Sequence, residues 1–140
     1  MYKFKCQNCF KIVEFNSSMG TKNRNHCPFC LFSLHVDKKE SGDRLSGCKK
    51  LMEPIGLTFK NEGVDKYGIN RQGELMLIHK CKNCQKISIN RIAGDDNVET
   101  LMDIFLKSSN NKNLEKKMAY IDIKLLVAEN AKRVRKQLYG

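Results

Sequence analysis

The chain has 140 residues, 41% of them hydrophobic, no Trp, and a formal net charge of +11. That is the length of one ordinary domain, or of one domain with an appendage. No run approaches the roughly 20 apolar residues that a membrane span needs. The start, Met1-Tyr2-Lys3-Phe4-Lys5-Cys6, has no apolar leader, so the chain is expected to be cytoplasmic, with its thiols reduced. The positive charge is spread along the chain and suits a polyanionic partner, RNA first and DNA second.

Taken in chain order, Lys3–Lys5 and Ile12–Phe15 flank the pair Cys6/Cys9 as short strands. Leu31–Asp37 alternates, with Leu31, Ser33, His35 and Asp37 on one side and Phe32, Leu34 and Val36 on the other, the period of a strand with one buried face. Leu57–Phe59 and Leu75–His79 are further strands, and the polar, Gly-containing run 61–73 between them reads as a connection. From Asp96 the pattern becomes helical. Asp96 and Glu99 have the spacing of a capping box, followed by Val98, Leu101, Met102, Phe105 and Leu106. Ser108–Asn113 breaks that helix, and a second one is predicted over 114–138, with Leu114, Met118, Ile121, Leu125, Ala128, Val134 and Leu138 on its apolar face. The expected organisation is an α+β chain: a small zinc-ribbon or treble-clef-like β domain over 1–96 with two structural metal sites, followed by a helical segment over 97–140.

Apolar runs in the first two-thirds are short, so a core there is thin and needs staples. Seven Cys are present, an odd number that argues against a disulfide framework. Six form Cys-x-x-Cys pairs: Cys6/Cys9, Cys27/Cys30 and Cys81/Cys84. Two such turns aim four sulfurs at one point and close a tetrahedral cage with no open position, so Cys6, Cys9, Cys27 and Cys30 are assigned to a structural Zn²⁺. A second ion is expected on Cys81, Cys84 and Cys48 with His35 as fourth ligand; His26 and His79 are the other histidine candidates. Cross-bracing of Cys27/Cys30 with Cys81/Cys84, and iron in place of zinc, are both open to the sequence. A weak internal repeat, Cys-x-Asn-Cys-x-Lys-Ile, occurs at 6–12 and at 81–87.

Arg24-Asn25-His26-Cys27-Pro28 spells the signature of the RNHCP domain family. The resemblance continues through Phe29-Cys30-Leu31, Ser33, His35-Val36-Asp37, Gly42-Asp43-Arg44, Met52-Glu53-Pro54-Ile55 and Asn90-Arg91-Ile92-Ala93-Gly94-Asp95-Asp96-Asn97. The chain thus resembles a bacterial member of that family over roughly residues 4–106. The resemblance implies a small Cys-rich, zinc-binding domain and supplies no reaction. Among its polar residues, Asn25 and Asn90 suit turns. Asp43 with Arg44, and Arg91 with Asp95 or Asp96, suit ion pairs that tie loops together. In the functional reading Arg24, Arg44 and Arg91 form a phosphate-binding surface, joined by Lys132, Arg133, Arg135 and Lys136 at the end of the last helix.

Closed thiolate sites, distributed charge and a basic helix together point to a zinc module for structured RNA, on the ribosome or on tRNA. Aromatic residues such as Tyr2, Phe10, Phe15, Tyr67 and Tyr139 show no arrangement in sequence that would make a stacking platform. One alternative is a nuclease of the His-Asn-His, endonuclease VII type, with His35, Asp37 and Asn90 as candidates. The Asp-His cluster such a nuclease needs between its Cys pairs is missing, and the balance is against an enzyme. The other alternative is a protein-interaction adaptor that docks through its C-terminal helix.

Overall fold

A computed structural model describes residues 2–15, 26–34, 51–60, 67, 73–92 and 96–139. Within them the chain is α+β. Strands β1 (Tyr2–Lys5) and β2 (Ile12–Phe15) form a two-stranded antiparallel hairpin. β3 (Ser33–Leu34), β4 (Leu51–Phe59), β5 (Leu75–Cys81) and β6 (Ile87–Arg91) form a second antiparallel sheet in that order. Three helices follow: α1 (Val98–Ser108), α2 (Lys112–Tyr120) and α3 (Ala131–Tyr139). Among the described residues no helix is long and apolar enough to cross a membrane.

β4 and β5 are longer than the Leu57–Phe59 and Leu75–His79 strands expected from sequence. Pro54 lies inside β4, at a register shift between Pro54 and Gly56, where the missing N–H of a proline is tolerated. β5 is one of the two inner strands, buried along its length except for half-buried Lys80. Its two faces serve two clusters. Leu75 and Leu77, with Leu57 of β4, pack against Leu101, Met102 and Phe105 of α1, and against Leu126 and Val134. Ile78, on the other face, meets Met118 of α2 and Leu125. β6 is a strand where Asn90 suggests a turn; the alternation of Ile87 and Ile89 with Ser88 and Asn90 is the signal for it.

The single helix expected over 114–138 is interrupted. α2 ends at Tyr120, Asp122 has φ of 62°, and after a short 3-10 turn at Ala128–Asn130 the chain re-enters α3. Burial explains the break. Leu125 belongs to the cluster around Ile78, and its neighbour Leu126 to the cluster around Leu57. Consecutive residues of a helix lie about 100° apart and cannot reach opposite sides of one sheet. Extended backbone can, and there Leu126 N–H donates to Leu57 O of β4 at 2.9 Å. α3 is then tied down by Gln137, whose Oε1 accepts from Leu75 N–H (2.9 Å) and whose Nε2 donates to Gly73 O (3.2 Å).

The start of α1 also differs from expectation. Its N-cap is Asn97, whose side chain accepts from Thr100 N–H at 2.9 Å. Asp96 is one residue too early and is buried against His26, Oδ2 to Nε2 at 2.8 Å.

Candidate metal centre

Each Cys-x-x-Cys pair folds into the same tight turn. The residue after the second cysteine donates back to the first cysteine's carbonyl: Phe10 to Cys6 (3.0 Å), Leu31 to Cys27 (2.9 Å) and Gln85 to Cys81 (3.1 Å). The first cysteine's N–H in turn donates to the residue beyond: Cys6 to Lys11, Cys27 to Phe32 and Cys81 to Lys86, at 2.8–2.9 Å. Closing the turn puts Phe10, Leu31 and Gln85 at φ of 64°, 66° and 68°, in the left-handed region that bulky residues normally avoid. Backbone N–H groups then point at sulfur: Asn8 and Cys9 at Cys6 Sγ, Phe29 at Cys27 Sγ, Cys84 at Cys81 Sγ, all at 3.4–3.5 Å.

The first two turns face each other. Cys6 Sγ lies 3.6 Å from Cys30 Sγ, and Cys9 Sγ 3.6 Å from Cys27 Sγ; all four sulfurs fall within 4.8 Å of one another. A disulfide would need about 2.05 Å. A tetrahedral ion with metal–sulfur bonds of about 2.3 Å spaces its thiolates by roughly 3.8 Å, so this donor set fits a four-thiolate metal. Burial pushes the Cys27 thiol up to about 12 and raises Cys30 as well. Burial also acts on Cys6, but the N–H groups of Cys9 and Asn8 and the neighbouring thiols bring it below its ordinary value. A buried thiolate at Cys27 at neutral pH needs a positive partner.

A second set of contacts fixes the centre to the rest of the molecule. Leu31 carries the second turn into the main core, fully buried. Its carbonyl accepts from His79 Nε2 at 2.7 Å, and His79 Nδ1 accepts from Asn90 Nδ2 at 2.9 Å. With both ring nitrogens so bonded, His79 is a neutral core residue; burial holds its pKa down to about 4. The start of α1 grips the same turn: Asn97 N–H donates to Pro28 O (2.8 Å), Thr100 Oγ1 to Phe29 O (3.2 Å), and Asp96 holds His26. Asn90 therefore sits on a strand as a partner of His79, not in a turn. Arg91 pairs with Glu74 at 3.1 Å, both side chains exposed, and not with Asp96.

These contacts account for much of the Arg-Asn-His-Cys-Pro and Asp-Asp-Asn runs. A family model described as the RNHCP domain matches residues 1–102. The chain belongs to that family. Comparison with curated proteins and with solved structures found no match. The matched span takes in the RNHCP cysteine turns, the sheet and the opening of α1, and stops before α2 and α3.

Of the expected ligands of a second ion, Cys81 and Cys84 sit together in the third turn, Cys81 buried and Cys84 exposed. His35 and Cys48 lie outside the described residues, as do Arg24, Arg44, Asn25, Asp37, Asp43 and Asp95. Lys132, Arg133, Arg135 and Lys136 are all exposed on α3, fanned over the side opposite buried Val134. Sequence reasoning missed the clamp of Asp96 on His26 and the bond from His79 to Leu31, which join residues 70 and 48 positions apart and leave no local signal.

Proposed function

We propose that this RNHCP protein is a zinc-stabilised nucleic-acid-binding module, built like a zinc ribbon, that recognises structured RNA of the ribosomal or transfer type. One Zn²⁺ is held by Cys6, Cys9, Cys27 and Cys30. A second is held by Cys81 and Cys84 with Cys48 and His35. The support for a second ion is that the third turn repeats the backbone hydrogen bonds and positive φ of the two that bring four sulfurs together. Four thiolates leave no coordination position for substrate, so the first ion's role is to hold shape.

The observation that carries the RNA reading is α3. It presents Lys132, Arg133, Arg135 and Lys136 to solvent and contains no acidic residue, in a chain of net charge +11. Val134 in the core and Gln137 at the start of β5 fix it in place. Cations fixed in space on a helix match phosphates fixed in space on a folded RNA. The test is the affinity of the zinc-loaded chain for a transfer RNA across a salt series. The expected logarithmic slope is steep, and changing the four α3 cations to Gln lowers it by about 0.7–0.9 for each phosphate that is no longer neutralised. No binding, or binding indifferent to salt, would overturn the reading.

A further inference from the structure

Three side chains occupy the strained position after a second cysteine, and two have an evident compensation. Leu31 is fully buried in the main core; Gln85 is polar and meets water. Phe10 has neither, being 67% exposed at φ of 64°. An aromatic ring is thus held in solvent on backbone that disfavours it, by a turn closed through the hydrogen bond from Phe10 N–H to Cys6 O. The turn imposes this angle at all three positions; a phenylalanine left exposed at it is what packing does not explain, and that points to a use.

Phe10 is not isolated. Phe29, on the facing turn, is 44% exposed, and Ile12 is 56% exposed. Lys5, paired with Ile12 across the hairpin, sets its Nζ 5.8 Å from the centre of the Phe10 ring. Lys11 follows Phe10 in sequence and sets its Nζ 4.6 Å from the centre of the Phe29 ring, so both rings belong to one surface. Between residues 2 and 15 there are three lysines and one glutamate. Exposed rings, each with an ammonium group over it, match a polymer of flat bases joined by phosphates. A protein partner fits less well, because lysine is depleted from the buried centre of protein interfaces.

We infer that the tip formed by the first two cysteine turns stacks unpaired bases, Phe10 and Phe29 supplying the faces and Lys5 and Lys11 the phosphate contacts. The inference rests on the RNA reading above and adds that the recognised element contains unpaired nucleotides. The chain has no Trp, so Phe10→Trp installs a single indole at an exposed position. The metal-loaded full-length variant is titrated with an RNA hairpin bearing an unpaired loop, with the same hairpin carrying an abasic loop, and with the blunt duplex of its stem. Stacking is expected to quench the indole with the first RNA and not with the other two. Phe10→Ala is expected to weaken binding of the looped hairpin by roughly 10- to 100-fold and to leave the duplex unaffected. Phe29→Ala is expected to act in the same direction, with metal content checked by native mass spectrometry in each variant. Equal binding of loop and duplex without quenching would overturn the stacking inference, leave the α3 reading standing and return the tip to a protein partner. No binding of any of the three RNAs would overturn both.

Discussion

The hairpin with its two facing turns and the sheet with its helices solve the same problem by different means. The sheet region buries nine apolar side chains in one cluster, from Leu31 to Val134. Among the described side chains, the hairpin cluster joins Val13 to buried Cys6 and Cys27 and to partly buried Cys9 and Cys30. One region is organised by loss of apolar surface to water. The other gathers four sulfurs in the spacing that directional bonds to an ion would fill. A short stretch can be ordered in this way, provided its cysteines recur at the spacing one turn requires.

The largest expected effect separates the two regions outright. Chelation of the metal, or Cys27→Ser, removes a binding free energy of about 10 kcal/mol or more at such a site. Amides of residues 2–15 are then expected to exchange freely while those of Leu77 and Ile78 stay protected. Loss of protection in both would mean that the sheet has no stability of its own. The next effect probes the other side: Phe105→Ala is expected to destabilise the sheet region by about 3–5 kcal/mol, read from urea unfolding, with metal content unchanged in the folded protein.

A third prediction concerns the junction. An unfolded histidine takes up its proton near pH 6.5, whereas burial holds His79 down to about 4 in the folded chain. Between those values the unfolded state binds more protons. Stability is therefore full above about pH 6.5 and falls by about 3 kcal/mol as pH drops towards 4. In His79→Gln, which keeps a donor for Leu31 O, this share of the acid sensitivity is expected to vanish from pH-dependent unfolding. An unchanged profile would show that another group governs it. The smallest effect is of opposite sign. Phe10→Asn relieves a left-handed phenylalanine and removes the attraction between Lys5 and the ring, for a net gain of about 0.5 kcal/mol in melting experiments. A loss instead would mean that the ring contributes to the fold.

What was legible in the sequence was what local spacing dictates. Two intervening residues mark each cysteine turn and make Cys6, Cys9, Cys27 and Cys30 the expected set, but spacing leaves cross-bracing of Cys27/Cys30 with Cys81/Cys84 open until the four sulfurs are placed within 4.8 Å of one another. The cores of β4 and β5 and the apolar face of α1 followed from periodicity. What escaped depends on distant partners. Asp96 looks like a cap until His26, 70 residues away, is placed beside it. Residues 121–127 continue a helical pattern until Leu125 and Leu126 have to reach opposite faces of a sheet. Phe10 is ordinary as a letter, and its significance lies in a backbone angle and in a ring on another turn.

Leu31 gives the two regions a shared fate. It follows a cysteine of the cage by one residue, and its side chain lies among those of the helix layer. Whatever loosens that layer also loosens one wall of the cage, and by reciprocity an ion in the cage steadies helices it never touches. Damage far from the sulfurs should therefore surface as faster metal release, which makes the rate of metal transfer to a competing chelator a remote gauge of how well the helices are packed.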